Sequence, residues 1–293
     1  MLDPRVAEKL SHLLGPKGFT TDAQDIAPWL TDWRTLYTGK AAALVSPGSV
    51  AEVQAVIRLA AEHHIPIVPQ GGNSSMVGGA TPDARGDAII LSTRRMNAIR
   101  SLDAQANIVV AEAGVILANL HDAARAQGRR FPLTLGARGS ATIGGLVSTN
   151  AGGTQVLRFG TMRKLVLGVE AVLPDGQLYE GLAALKKDNR GYDLAQLLVA
   201  AEGTLGVVTA ASLRLVPDIL DRAVGWIGVE SPEAALSLLR RLESDSGEAI
   251  ESFELVPDGS LQLVLQHIPG TRAPLGGAHP WHVLVEYVRT NAA

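Results

Sequence analysis

Eleven residues, PQGGNSSMVGG from Pro69 to Gly79, follow directly on a short apolar run, Ile65 to Val68. A strand that breaks into paired glycines ends in a turn whose backbone is free to take positive φ and to bring its N–H groups close to a bulky anion such as a pyrophosphate. Asn73, Ser74 and Ser75 add side-chain donors at the same spot. A second loop, LGARGSATIGGLVSTNAGG from Leu135 to Gly153, repeats this chemistry with six glycines, two serines, two threonines and one asparagine. Two such loops in one chain fit a long diphosphate ligand gripped along its length.

The rest of the chain narrows the choice. At 293 residues it has the length for one large domain or two. A formal net charge of -3, with no block of Lys or Arg, excludes a nucleic-acid footprint. No apolar run approaches the roughly 20 residues of a membrane span, and MLDPRVAEKLSHLLG lacks the basic start and apolar core of a signal peptide, so the expected location is cytoplasmic. Without cysteine there is no disulfide, thiolate metal site or cysteinyl cofactor link.

Apolar periodicity predicts alternating strands and helices from Ala41 onward. Strands are expected at Ala42–Ser46, Ile65–Val68, Ala88–Ser92, Ile108–Gly114, Val166–Leu173, Gln177–Glu180 and Val207–Val216. Ser49 with Glu52 forms a capping box for a helix through Ala61, Gly128 closes a helix over Leu117–Gln127, and Pro174-Asp175-Gly176 is a turn. Beyond a boundary at Pro217–Arg222, the pattern predicts a strand at Trp226–Glu230 and a helix capped by Ser231 with Pro232 in its first turn. Further strands are expected near Leu261–Gln266 and at Val283–Val288. This last unit reads as unfinished, ending just after a strand.

Neither G-x-G-x-x-G nor a Walker A loop is present. Instead PQGGNSSMVGG, FPLTLGARGSATIGGLVSTNAGG, KKDNRGYDL and EGTLGVVT resemble, in order, the signature segments of FAD-linked oxidoreductases of the vanillyl-alcohol oxidase type. Within that superfamily they most resemble the D-2-hydroxyglutarate and D-lactate dehydrogenase group. The resemblance implies an α+β chain: a helical lead (1–31), an FAD-binding domain of two α/β subdomains (32–217), and a truncated α+β cap with an antiparallel sheet (218–293).

It also implies residue roles. Gln70, Gly71, Gly72, Asn73, Ser74 and Ser75 would wrap the FAD diphosphate. Leu135, Gly136, Ser140, Thr142, Ile143 and Gly144 would line the ribityl and isoalloxazine side, with Asn150, Gly152 and Gly153 completing that wall. Gly206, Val207 and Val208 would meet the adenine end through main-chain groups. Many members attach FAD through a His in the first loop, where this chain has Asn73 and Ser74, so non-covalent binding is expected. The implied reaction oxidises a small D-2-hydroxy acid to the 2-oxo acid, with an electron acceptor reoxidising the flavin. In the resembling enzymes the metal ligands and substrate-carboxylate residues lie beyond the positions covered here, so no catalytic or metal residue is assigned in this chain.

Other readings stay open from the residues themselves. The chain could be a flavin-holding subunit or remnant, completed by a second copy or another subunit, or the substrate could be a sugar or alditol. Each glycine pair is equally a plain turn. Lys187, Asp188, Asn189 and Tyr192 read as a structural knot or as part of the cofactor wall, Glu202 as a turn cap or a site residue, and Arg34 and Arg158 as surface charges or carboxylate partners. His279 and His282 have a spacing that metal sites use, but Pro280 between them argues against convergence, so no metal is expected.

Overall fold

The computed structural model describes residues 2–185 and 188–290, and its contacts divide the chain into two units. The first comprises Met1–Phe131, Leu135–Ala151 and Thr161–Val216; the second comprises Pro132–Thr134, Gly152–Gly160 and Pro217–Ala293. Among the described residues no helix is long and apolar enough to cross a membrane.

The first unit opens with helix α1 (Pro4–Leu14), started by Asp3, whose carboxylate accepts the Arg5 N–H at 2.8 Å, and stopped at Gly15 with φ 64°. A four-stranded sheet follows, from β1 (Phe19–Thr20), β2 (Ala43–Val45), β3 (Ile67–Gln70) and β4 (Ile89–Ser92) in the order β1-β2-β4-β3. Of its three strand pairs, β1–β2 is antiparallel and the other two are parallel, with Ala43 and Ile67 both registered on Ile89. Helix α2 (Val50–Glu62) crosses between β2 and β3, as a parallel connection requires. The Ser49 hydroxyl accepts from the Glu52 N–H at 3.2 Å, and the Glu52 carboxylate accepts from the Gly48 N–H at 2.7 Å, a capping box displaced by one residue. Val53, Val56 and Ile57 of α2 share a core with Val6, Leu10 and Leu14 of α1 and with Val45 and Leu91 of the sheet.

A second sheet is wholly antiparallel: β5 (Ile99–Asp103), β6 (Ile108–Glu112), β7 (Val166–Val172), β8 (Leu178–Gly181) and β9 (Val207–Arg214), ordered β5-β6-β9-β7-β8. Helices α3 (Leu117–Arg125) and α4 (Ile143–Ser148) belong with it. Strand β9 is buried along seven of its eight residues because it is central and covered on both faces, which is why it reads as one apolar run. The Pro174-Asp175-Gly176 turn docks on α2: the Gly176 carbonyl accepts from Gln54 Nε2 and Arg58 Nη2, each at 2.9 Å. Inside this sheet Arg100 forks onto Glu170 with two bonds of 3.0 Å and reaches Glu112 at 3.2 Å, while the Thr209 hydroxyl donates to Glu170 at 2.7 Å. The Glu170 carboxylate holds the Arg100 proton more tightly than an ordinary guanidinium.

The second unit is a three-stranded antiparallel sheet, β10 (Asp221–Val229), β11 (Ile250–Pro257) and β12 (Trp281–Arg289) in the order β10-β12-β11, with helices α5 (Pro232–Ser246) and α6 (Asp258–His267). Ser231 caps α5 through the Ala234 N–H at 3.1 Å, with Pro232 at the first position, and Ala235, Ile250, Val283 and Val285 form the core.

Four segments differ from the sequence reading. Leu261–Gln266, expected as a strand, lies in helix α6. Leucines at every second position, Leu261, Leu263 and Leu265, with Val264 among them make an apolar run that mimics a strand, but only Leu261 is buried, and Asp258 in the first turn accepts from Gln262 one turn on at 3.1 Å. Strands β5 and β11 were not anticipated; β5, IRSLD, is polar and half exposed at a sheet edge, where periodicity is weak. Helix α4 lies inside what reads as an unbroken glycine loop, its glycines tolerated because tertiary packing outweighs their low helix propensity.

Candidate functional site in the first unit

Strand β3 delivers the chain to the first glycine loop, and Gln70 at its end anchors that loop. The side chain is buried, and its Nε2 donates to the Trp29 carbonyl at 3.0 Å and to the Ala80 carbonyl at 2.7 Å, closing the loop at its base. Asn73 takes φ 51° and donates from Nδ2 to the Thr31 carbonyl at 2.8 Å. Both side chains, expected to meet a ligand, hold the loop to the segment around Trp29–Thr31. No motif marks that segment.

The two glycine loops lie against each other. A Cβ at Gly71 would collide with the Thr142 hydroxyl, and one at Gly72 would collide with the Ser140 carbonyl oxygen and stand 3.1 Å from the Ala141 Cα. These glycines therefore permit loop-to-loop contact, a different use of the missing side chain from the ligand clearance expected. Gly144 has no room either, since its Cβ would stand 2.7 Å from that of Ala113. Gly136 and Gly139 are the opposite case: nothing lies within 4 Å of the space a side chain would fill.

A third loop joins them. Ala200 and Glu202 donate their N–H groups to Val147 and Ser148 at the end of α4, at 3.1 and 2.9 Å. A Cβ on Gly203 would stand 2.9 Å from Pro69, and one on Gly79 would stand 3.1 Å from Glu202 Oε2. Gly206, backed by the Val172 carbonyl, leads into β9, where Val207 and Val208 bury their side chains and pair with Val172 and Ala171. Ile143 is likewise core, Leu135 is half buried, and Asn150, at φ 48°, accepts from the Arg163 N–H at 2.9 Å. Gly152 and Gly153 belong to the second unit, where Gly153 packs on the Thr134 backbone.

Three features fit the site to an anionic dinucleotide. Among the described residues, no protein acceptor takes the backbone N–H of any residue from Gly72 to Val77, leaving a run of donors. The Thr142 hydroxyl beside Gly71 is buried with no hydrogen-bond partner. The stretches Gln70–Gly79 and Leu135–Gly145 carry no acidic side chain, so nothing in them repels a diphosphate. Ser74, Ser75 and the exposed Ser140 add hydroxyls.

The remaining sequence candidates are placed as follows. Lys187 lies outside the described residues. Asp188 pairs with Arg190 at 2.7 Å, which pulls its carboxyl down to about 2, and Tyr192 is exposed. Arg34 is exposed. Arg158, in the second unit, faces the buried Glu251 at 3.7 Å and stacks on Phe159. His279 and His282 do approach, with ring centroids 5.9 Å apart, but both nitrogens of His282 are engaged, Nδ1 by the Trp226 N–H at 3.1 Å and Nε2 by Asp258 at 3.3 Å. Among the described residues there is no group of three or more His, Asp or Glu that could hold a metal.

Comparison with known proteins agrees with this geometry. Residues 41–181 match the family described as "FAD binding domain". The chain is 35% identical over 285 residues to the mitochondrial D-2-hydroxyglutarate dehydrogenase of Arabidopsis thaliana, covering 97% of this chain and 51% of that protein. It is 39% identical over 271 residues to the Bos taurus protein of the same name, covering 92% and 49%. It is 35% identical over 293 residues to the D-2-hydroxyglutarate dehydrogenase of Xanthomonas citri pv. viticola, covering 100% and 61%. The chain thus spans about half the length of the curated relatives it matches. Among solved structures, an alkyldihydroxyacetonephosphate synthase superposes with a TM-score of 0.82 at 18% identity, covering 98% of this chain and 56% of that one. A p-cresol methylhydroxylase superposes at 0.76 and 18%, covering 97% and 60%; both show the fold.

Proposed function

We infer from one premise, that this chain belongs to the FAD-linked oxidoreductases of the vanillyl-alcohol oxidase type, that its three converging loops hold FAD non-covalently. The observation that carries the reading is the run of unused N–H groups from Gly72 to Val77, set beside the partnerless Thr142 hydroxyl. In this reading those N–H groups and the hydroxyls of Ser74 and Ser75 bind the diphosphate. The open flank at Gly136 and Gly139 admits the ribityl and ring portion, alongside Leu135, Ser140, Thr142 and Gly144. Asn150 extends that wall, and Gly206, Val207 and Val208 meet the adenine through main-chain groups. Non-covalent attachment is supported by the loop itself, which offers amide and hydroxyl groups at Asn73 and Ser74 where a histidine would be needed for a link.

For the protein that carries this chain, we propose oxidation of a D-2-hydroxy acid of the 2-hydroxyglutarate or lactate type, following the relatives' names. When bound, the flavin supplies hydride acceptance from the substrate Cα. The chain's own residues contribute binding and orientation, and residues 32–217 are proposed as the functional FAD-binding division, with 218–293 as part of a substrate cap. A second reading of ours is that this chain holds FAD and the substrate groups come from a complementing subunit or second copy. The expected cytoplasmic location gains no support from them, since the plant and animal proteins are named as mitochondrial.

The test is direct. Purified protein should carry flavin that acid releases, and anaerobic D-2-hydroxyglutarate or D-lactate should bleach its visible absorption. Release without bleaching by either acid supports the flavin-holding reading; protein that retains no added FAD refutes both.

A further inference from the structure

No role proposed above uses Glu202, yet its position is held against a backbone penalty. It takes φ 51° and Ala200 takes φ 70°, left-handed conformations that such residues rarely adopt and that tend to mark functional loops. What enforces them is the end of α4, whose Val147 and Ser148 carbonyls accept the Ala200 and Glu202 N–H groups. The side chain is exposed and has no hydrogen-bond or ion-pair partner among the described residues. Its Oε2 rests against Gly79, at the end of the first glycine loop opposite Gly71 and Gly72. A free carboxylate beside a loop otherwise suited to an anion is unfavourable unless it meets a donor.

FAD offers one at the corresponding place. Between its diphosphate and its adenine stands a ribose with two adjacent hydroxyls, and Glu202 stands on the loop that runs from contact with the first glycine loop to Gly206 and β9. We propose that the Glu202 carboxylate accepts both hydroxyls of the adenosine ribose and so selects a dinucleotide. A carboxylate has two oxygens with lone pairs to spare, which suits a vicinal diol, and it would repel the terminal phosphate of FMN. This inference rests on the FAD reading given above.

The experiment titrates flavin-stripped protein with FAD, with FMN, and with an FAD analogue lacking both adenosine ribose hydroxyls, following flavin fluorescence in the presence of EDTA. Glu202→Gln removes the charge. Glu202→Gly removes the side chain and relieves the left-handed strain, so folding is not at stake. Each variant should weaken FAD binding, the glycine variant by about tenfold to a hundredfold, and should leave the analogue's affinity nearly unchanged. FAD binding equal to wild type, or an equal loss for the analogue, overturns the assignment. So does a loss that appears in a parallel titration with Mg²⁺ and not in EDTA, which would make Glu202 a cation ligand. Wild-type protein that binds FAD while its variants do so equally well sinks only this inference; wild-type protein that binds no FAD sinks the cofactor reading beneath it.

Discussion

Replacing Gly72 by alanine separates two explanations of why glycine stands there. The new Cβ would overlap the Ser140 carbonyl oxygen, lie 2.7 Å from the Ser140 carbonyl carbon and 3.1 Å from the Ala141 Cα. All three atoms are backbone, so no rotamer change relieves the contact, and Ser140 and Ala141 are tied to Ala137 by N–H bonds of 2.9 and 2.8 Å. Overpacking of this kind costs about 1–3 kcal/mol. In a unit of this size each kilocalorie moves the midpoint by about 2–4 °C, so the variant should melt about 2–12 °C lower even without cofactor. FAD affinity should fall as the loop leaves its partner, by about tenfold or more. Gly136→Ala is the control, because nothing lies within 4 Å of its Cβ, and its stability should stay within about 0.5 kcal/mol of wild type. Thermal melts of the apoproteins and fluorescence titrations with FAD read both quantities. An apo Gly72→Ala protein that melts like wild type yet loses FAD would show that the glycine serves the ligand and not the adjoining loop, refuting the packing argument.

Three further outcomes follow from the same geometry. Ser49→Ala removes the acceptor for the Glu52 N–H at the start of α2 and should cost about 1 kcal/mol, read by urea denaturation; an unchanged midpoint contradicts the cap. Arg100→Met strands the nearly buried Glu170 with the Thr209 hydroxyl alone, and a loss of about 2–3 kcal/mol is expected, whereas a neutral change would show that water takes the arginine's place. Because Arg190 depresses the Asp188 carboxyl, whatever stability the pair provides is present above the unfolded value of 3.8 and fades as pH falls toward about 2. A carbon NMR titration should place Asp188 at about 2 in wild type and higher in Arg190→Ala, which loses the guanidinium but keeps the N–H of residue 190 on the carboxylate, and identical curves would refute the pairing.

Much of this was legible in the sequence because local chemistry and global fold agree. Ser49 with Glu52, Ser231 with Pro232, and Pro174-Asp175-Gly176 each form through contacts within a few residues, and each stands where the pattern put it. The apolar runs of β7 and β9 are just as plain, being buried from both sides. What the pattern could not convey was long-range. That Gln70 and Asn73 look back some forty residues to Trp29 and Thr31 has no local signal, and neither does the dependence of Gly71 and Gly72 on Thr142 and Ser140. Helix α6 reads as a strand because its evenly spaced leucines satisfy a strand template, and only one of them, Leu261, is buried to mark a helical face. The glycine motifs mark segments that the fold brings against one another, and for the first pair the reason for glycine is mutual packing of the loops.

The central claim is that the N–H groups from Gly72 to Val77 bind the diphosphate of FAD. Amide hydrogen exchange resolved to individual residues, compared for apo protein, protein with riboflavin and protein with FAD, tests it most directly. Exchange should slow strongly across Gly72–Val77 with FAD and little with riboflavin, which has no phosphate. Exchange in that run that is the same in all three states would contradict it.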